Sequence, residues 1–258
     1  MRKELVLIFL FCIKLTFAQL LGKIDSTFNP GDIGYMLRDR ANAQVLSIIS
    51  QPDNKVVLGG EFTMYNGKIS NRLVRLNIDG TVDTTFNIGI GFNDKVSSVI
   101  LQPDGKILAA GSFTSCNGFI IKGIVRLNTD GSIDNTFFNV MNNWTIIDFK
   151  TLALQPDGKI LAGGNSKNGT INCFLSRLDN NGIIDSSFNS GGIGPNSGIL
   201  DIELQNDGKI LIAGGQTSYN GHLGGGVMRL NSNGSIDTTF AIVTQSGGTS
   251  IKTIALQS

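Results

Sequence analysis

The amino-acid sequence predicts an all-β chain built from tandem repeats, and three observations carry that reading. The stretch Gln102-Pro103-Asp104-Gly105-Lys106-Ile107-Leu108 returns as Gln155-Pro156-Asp157-Gly158-Lys159-Ile160-Leu161. Variants begin at Gln51 and Gln205, and a broken start, Leu256-Gln257-Ser258, ends the sequence. The period, roughly 50 residues, is that of propeller blades and other arrays whose units need neighbours to bury their faces. Helical periodicity is absent beyond the first residues, and short β-rich runs lie between Gly, Asn and Asp turns. The 33 glycines among 258 residues are close to double the usual share of about 7%.

Residues 1–18 read as a secretory signal. Arg2 and Lys3 give the positive start, residues 5–12 the apolar core, and Thr16-Phe17-Ala18 a small-residue cleavage site before Gln19. A membrane anchor would need about 20 apolar residues, and Lys14 interrupts an already short run. The domain is therefore expected at 19–258, secreted or on the outer cell surface, with the periplasm as a further location. Of 21 basic and 20 acidic residues, the signal removes Arg2, Lys3 and Lys14 against Glu4, so the remainder is close to neutral. Without a basic cluster there is no case for nucleic acid. Cys12 leaves with the signal. Cys116 and Cys173 sit at different repeat offsets, so a disulfide is open and two idle thiols are the simpler reading.

Residues 22–28 match 80–86, which makes them a last strand without its three predecessors. A long loop follows to about residue 43. Four full units come next, at 44–86, 96–137, 150–188 and 199–240, and a partial one at 250–258. Each reads strand A, turn, strand B, variable loop, strand C, turn, strand D. In the first turn Pro suits position i+1, Asp i+2, and Gly the left-handed position of a bulge. Strands A and B are apolar on both faces, as in Val99-Ile100-Leu101 and Ile107-Leu108-Ala109, which fits blades sandwiched between neighbours. Gly59-Gly60, Gly163-Gly164 and Gly214-Gly215 end strand B and suggest a close approach or bulge.

The second turn reads Asn77-Ile78-Asp79-Gly80 in the first unit and recurs in each. Its geometry pairs Asn77 with Thr81, Leu76 with Val82 and Arg75 with Asp83. The same register gives Arg126/Asp134, Arg177/Asp185 and Arg229/Asp237, cross-strand pairs of about 0.2–1 kcal/mol each. Four copies mark a structural role. The expected architecture is a β-propeller-type array of four-stranded antiparallel blades, four complete, with partial strands at both ends and the ring incomplete.

These stretches, with Gly59-Gly60-Glu61-Phe62-Thr63, Arg126-Leu127-Asn128 and the Asp134 to Phe137 strand, resemble the delta-60 repeat family. The resemblance implies tandem propeller units in a secreted or surface-exposed protein of Gram-negative bacteria, often with extra modules, and no established activity. No C-terminal sorting or adhesive module is visible and the last repeat is cut off, so a truncated copy or fragment is expected.

Function is sought on the rim carrying the B–C and D–A connections, because variable loops on a rigid scaffold are where binding groups sit. Its candidates are Asp32, Tyr35, Arg38 and Arg40 in the first loop, Tyr65 with Asn66, Tyr219 with Asn220, Asn143 with Trp144, and His222, the single histidine. Rings could stack on a sugar while Asn and Asp supply hydrogen bonds, or they could seal the blade ends. Calcium at the Asn128-x-Asp130-Gly131 turn would need an acidic first position and a Glu twelfth, where Arg126 and Phe137 stand. No Cys/His cluster suggests zinc. The turn also resembles the Asp-box of sialidase blades, a fold-stabilising hairpin. A sialidase-type site needs three clustered arginines. Outside the four strand-C arginines and the signal there are only Arg38, Arg40 and Arg72. The expected function is non-catalytic binding of a glycan or surface protein, without cofactor or metal. A glycan-cleaving enzyme and a structural spacer are the alternatives, and open edges are expected to favour self-association.

Overall fold

The computed structural model describes residues 40–138, 141, 144–241 and 250–257. The signal, the strand at 22–28, and Asp32, Tyr35, Arg38 and Asn143 lie outside them. Four antiparallel sheets follow one another, with no α-helix among the described residues. Blade 1 contains β1 (Val45–Ser50), β2 (Val56–Gly60), β3 (Met64–Tyr65), β4 (Lys68–Ile69) and β5 (Leu73–Leu76). Blade 2 contains β6 (Val96–Leu101), β7 (Ile107–Gly111), β8 (Ser115–Cys116), β9 (Phe119–Ile120) and β10 (Ile124–Leu127). Blade 3 has only β11 (Phe149–Leu154), β12 (Ile160–Asn168) and β13 (Ile171–Leu178). Blade 4 has β14 (Ile199–Leu204), β15 (Ile210–Gly214), β16 (Ser218–Tyr219), β17 (His222–Leu223) and β18 (Val227–Leu230). The sheets are ordered β1-β2-β5, β6-β7-β10, β11-β12-β13 and β14-β15-β18.

Both turns take the expected form. Asn54, Gly105, Gly158 and Gly208 carry the positive φ of the first turn, and Gly80, Gly131, Gly182 and Gly234 that of the second. The Asn77 amide donates to the Thr81 carbonyl at 2.8 Å, and Leu76 bridges Val82. The fourth strand, however, is shorter than expected. It contributes one bridge per blade: Val82, Ile133, Ile184 and Ile236. The cause is the next residue. Asp83 Oδ1 accepts from both the amide and the hydroxyl of Thr85, at 2.9 and 2.7 Å, which folds the chain into a turn. The Asp-x-x-Phe segment is that turn, and it returns Phe86 over the Arg75 guanidinium, 4.5 Å from the ring centroid.

The core lies between blades. Val57 and Leu73 of blade 1 pack with Val96, Ile107 and Leu127 of blade 2. Leu108 and Ile124 of blade 2 pack with Phe149 and Ile160 of blade 3. Leu161 of blade 3 packs with Ile199 and Ile210 of blade 4. Each buried side chain of this size contributes about 1.5–3 kcal/mol, so a blade without neighbours would lose most of its stabilisation. The doubled glycines are where backbones meet. A Cβ on Gly60 would stand 2.2 Å from the Gln44 carbonyl oxygen, and one on Gly164 2.2 Å from that of Asp148. Successive inner strands are also stitched by side chains. The Val99 amide donates to Ser47 Oγ at 3.0 Å, and the Leu152 amide to Ser98 Oγ at 3.1 Å.

The expected Arg/Asp pairs form, and they belong to a larger latch. Asp134 Oδ2 accepts from Arg126 Nε at 2.7 Å and from Lys106 Nζ at 2.8 Å. Lys106 comes from the first turn, so one carboxylate joins both repeated motifs. Arg126 Nη1 then donates to the Asn180 carbonyl of blade 3, at 2.6 Å. Arg75 and Arg177 reach the Thr129 and Ser232 carbonyls of the following blades in the same way, at 2.7 and 2.6 Å. Beside each runs a backbone bond: Asn87 to Asp130, Phe138 to Asn181, and Asn189 to Asn233.

Burial pushes the Asp134 carboxyl up, but the hydrogen bonds from Lys106, Thr136 and Arg126 outweigh it and hold it well below the usual range. Asp83 behaves alike, and Asp185 and Asp237 are held low chiefly by Ser187 and Lys209 respectively. A carboxyl depressed on folding contributes stability above its unfolded pKa of about 3.9 and loses it as pH falls further. Stability is therefore expected to stay level in these groups from neutral pH to about pH 4 and to fall steeply below it. Asp134→Asn leaves Arg126 without its buried counter-ion and should cost about 3–5 kcal/mol at pH 7, with a shallower acid limb. Denaturant melts across pH check both.

Candidate functional site

The B–C connections are not irregular loops in blades 1, 2 and 4. They are hairpins, with Met64 facing Ile69, Ser115 facing Ile120 and Ser218 facing Leu223. Asn66, Asn117 and Asn220 have φ of 48°, 49° and 50°, and each is followed by a positive-φ glycine. That is the type I′ turn, for which Asn-Gly is the favoured pair. In blade 3 the ladder continues past a bulge between Gly163 and Ser166, with β12 and β13 paired through Asn168 and Ile171. The hairpins are held at their base by asparagines of the D–A connections. Asn196 Oδ1 accepts the Thr217 and Ser218 amides at 2.9 and 3.0 Å. Asn93 and Asn42 do the same for Thr114 and Thr63.

This geometry relocates the aromatic candidates. Tyr219 is 1% exposed, Trp144 5% and Tyr65 8%, so their rings offer no face for stacking. Tyr219 Oη donates to the Gly234 carbonyl at 2.7 Å, tying the hairpin of blade 4 to its second turn. Burial pushes its phenol above the ordinary range. Trp144 packs against Phe149, centroids 5.9 Å apart. The sealing reading describes all three: Tyr65 packs in the core of blade 1, Tyr219 in the core between blades 3 and 4, and Trp144 in the core between blades 2 and 3. Arg40 and His222 are exposed, away from each other in sequence and without a shared cluster. Cys116 and Cys173 are both free thiols, and burial pushes that of Cys116 up to about 12.

Two concavities stand out. One, about 510 Å³, runs along β18 and is lined by His222, Leu223, Val227, Met228 and Phe240. In blade 1 the same groove shrinks to about 110 Å³. There the D–A connection lies against the strand, with Asn71 Nδ2 donating to the Ile90 carbonyl and the Phe92 amide to that of Asn71. The groove is thus the ordinary seat of a D–A connection, and in blade 4 residues 242–249 of that connection lie outside the described residues.

The other concavity, about 470 Å³, lies where the D–A connection of blade 3 meets blade 4. Its wall is built from Asn189, Ser190, Gly192, Asn220, Asn233 and Ser235. Asn220, a candidate from the sequence, is brought together with Asn189 and Asn233, which sequence reasoning missed. The Asn189 and Asn220 amides bond reciprocally at 3.1 and 2.5 Å, and Asn220 Oδ1 accepts the Gly194 amide at 2.7 Å. Gly192 lets this happen, since a Cβ there would stand 2.4 Å from Asn189 Oδ1 and 2.5 Å from Asn220 Oδ1. The recurring Asn-Gly dipeptides were the available signal. No residue lining this concavity is charged.

The carboxylates are elsewhere. Asp201 and Glu203 lie two apart on β14. Asp201 Oδ2 accepts from Thr253 Oγ1 and the Ile254 amide at 2.8 and 2.9 Å. Burial, then the Asp201 charge, raises the Glu203 carboxyl. Among the described residues no group of three His, Cys, Asp or Glu could hold a metal ion.

Tyr219→Phe is expected to cost about 1–3 kcal/mol by leaving the buried Gly234 carbonyl unsatisfied, with the concavity's shape retained. A denaturant melt of the variant checks this.

A family described as a domain of unknown function, DUF5122 β-propeller, matches residues 51–86, 102–137, 155–188 and 205–240, just over half of the chain. No curated protein matches. Similar solved structures include a protein of unknown function from Bacteroides caccae, at 12% identity and TM-score 0.42, covering 75% of this chain and 65% of that one. A gluconolactonase of Xanthomonas campestris gives 14% identity and TM-score 0.44, covering 73% and 59%. PorZ, a surface component of the type-IX secretion system of Porphyromonas gingivalis, gives 14% and 0.42, covering 79% and 27%. The chain spans less than two thirds of the length of each, and likeness at these values carries no functional argument. Each matched segment runs from the first turn of a blade to the turn after its fourth strand, leaving out only the inner strand and containing both turns of the latch, and the chain belongs to the DUF5122 β-propeller family.

Proposed function

We propose that this chain is a secreted or surface-exposed binding scaffold, without catalytic activity, whose ligand is a neutral polyhydroxylated molecule of the glycan class. The observation that carries the reading is the lining of the concavity between blades 3 and 4. Asn189, Asn220, Asn233, Ser190 and Ser235 line it without a charged side chain, and its polar groups are held in place by the reciprocal Asn189–Asn220 bonds and by Ser235 Oγ donating to Asn233 Oδ1. Amide and hydroxyl groups both donate and accept, which matches sugar hydroxyls and offers nothing specific to an ion. The signal at residues 1–18 and the delta-60 resemblance support the location. A glycan-cleaving enzyme would need two carboxylates about 5–10 Å apart flanking the bond. Asp201 and Glu203, with the raised Glu203 carboxyl, are the pair that favours this second reading, although Asp201 is already engaged by residues 253 and 254.

The test is a glycan array with the full chain, followed by calorimetry on any positive. Ser190→Trp, which fills the concavity from an exposed position, is expected to weaken binding at least about tenfold, or 1.4 kcal/mol, with the melting temperature unchanged. Undiminished binding by that variant, or no glycan bound at all, would overturn the reading. Release of reducing sugar, lost in Glu203→Gln, would establish the enzyme instead.

A further inference from the structure

We propose that the rim carrying the B–C hairpins docks on an anionic lipid surface, with the aliphatic side chain of each hairpin dipping below the headgroups. Four of these side chains stand at one repeat position, three residues after the asparagine of an Asn-Gly dipeptide: Ile69, Ile120, Ile171 and Leu223. They are 80%, 74%, 65% and 80% exposed. A single exposed aliphatic is ordinary on a protein surface. Its return in every blade is not, because the fold makes no use of it: none of the four belongs to a core within or between blades.

The preceding D–A connection sets a second isoleucine beside each of the last three hairpins. The Ile90 amide donates to Asn117 Oδ1 at 3.1 Å, on the hairpin tip of blade 2. Ile146 bridges Lys167 on the hairpin of blade 3. Gly194, next to Ile193, donates its amide to Asn220 Oδ1 at 2.7 Å, on the hairpin tip of blade 4. In each case the backbone makes the contact, and Ile90, Ile146 and Ile193 keep their side chains exposed. Phe119 adds an exposed ring beside Ile120.

Charge separates the two rims. The B–C segments at 61–72, 112–123, 165–173 and 215–226 contain Lys68, Arg72, Lys122 and Lys167 against one acid, Glu61. The D–A connections between blades are balanced, Lys95 with Asp94 and Lys150 with Asp148. On the opposite rim Asp53, Asp104, Asp157 and Asp207 are exposed in the first turns, and the lysines beside them are drawn to the latch carboxylates. Basic side chains flanking short aliphatic tips suit an anionic bilayer, where the charges meet phosphates and the tips enter the acyl boundary. A bilayer accepts separate tips, whereas a second protein buries a continuous packed face. A second copy of this chain fits less well. Face to face it would bring two basic rims together, and turned over it would press the aliphatics onto the aspartates of the first turns.

The probe is vesicles of phosphatidylcholine, alone or mixed equally with phosphatidylglycerol, sedimented with the chain from Gln19 onward so that the apolar leader takes no part. Binding to the mixed vesicles is expected to be at least tenfold tighter than to the neutral ones. Ile69→Ser, Ile120→Ser and Ile171→Ser combined should weaken it at least tenfold, with the melting temperature unchanged. These three residues lie outside the concavity between blades 3 and 4, so the outcome is independent of glycan binding. Ile120→Trp reads the orientation: its emission should shift to the blue and be quenched by brominated lipid, whereas that of Asp104→Trp on the opposite rim should not. The proposal is overturned if the mixed vesicles are not bound, or are bound no better than the neutral ones. It is also overturned if the triple variant binds as well as the parent, or if Asp104→Trp is quenched equally. A dimer of the chain alone that the triple variant dissociates would overturn it too, because a second copy would then cover the rim.

Discussion

One carboxylate per repeat, buried in three of the four, organises this protein. Asp134 and its counterparts Asp83, Asp185 and Asp237 each accept a lysine from the first turn and an arginine from strand C on a single oxygen. The other oxygen is used by a Thr or Ser two residues on, which shapes the turn ending the blade. Fixing the guanidinium from one side aims its far nitrogen at the next blade. The local network thereby becomes a nearest-neighbour coupling of the kind that stabilises repeat arrays. Apolar burial supplies most of the energy between blades, but it is non-directional. The arginine and the backbone bond beside it set the orientation of one blade on the next.

Where the sequence was legible, a short-range rule applied. Turn chemistry fixed the register of strands C and D, so Arg126 and Asp134 could be paired across eight residues. The glycine pairs signalled close backbones and were found at them. The part of Lys106 in the latch, 28 residues from Asp134, and the reach of Arg126 to Asn180, 54 residues on, had no local signature. The fourth strand was overextended because Ile133-Asp134-Asn135-Thr136-Phe137 alternates like a strand. Only the side-chain bonds of Asp134 to Thr136 turn it into a bend. Tyr219 and Trp144 were read as rim groups because loop residues are usually exposed. Tyr219 is instead buried with Leu161 and Ile199 between blades 3 and 4, and Trp144 with Met141 and Phe149 between blades 2 and 3, contacts that no local pattern announces.

The concavity between blades 3 and 4 follows from a departure inside the regular frame. At the junction of blades 1 and 2, Gly89 and Ile90 lie on the Asn117 hairpin tip, with the Ile90 amide donating to Asn117 Oδ1. At the junction of blades 3 and 4 the run Ser190-Gly191-Gly192 opens the surface, and an asparagine pair replaces the simple contact. The repeated scaffold of turns and latches is not required to change for this. A few D–A residues alter the surface while the carboxylate network beneath them stays the same.

The arginine of strand C either couples neighbouring blades or only braces its own. Amide exchange of Arg126→Lys measures this directly. Lys at that position can still neutralise Asp134 but has no second nitrogen for the Asn180 carbonyl. Faster exchange is predicted across the junction, at the Phe138 amide that leaves blade 2 for the Asn181 carbonyl and at the Gly182 amide inside the second turn of blade 3, together with faster exchange in blade 2. Loss of protection confined to blade 2, with the turn of blade 3 unchanged, would contradict it.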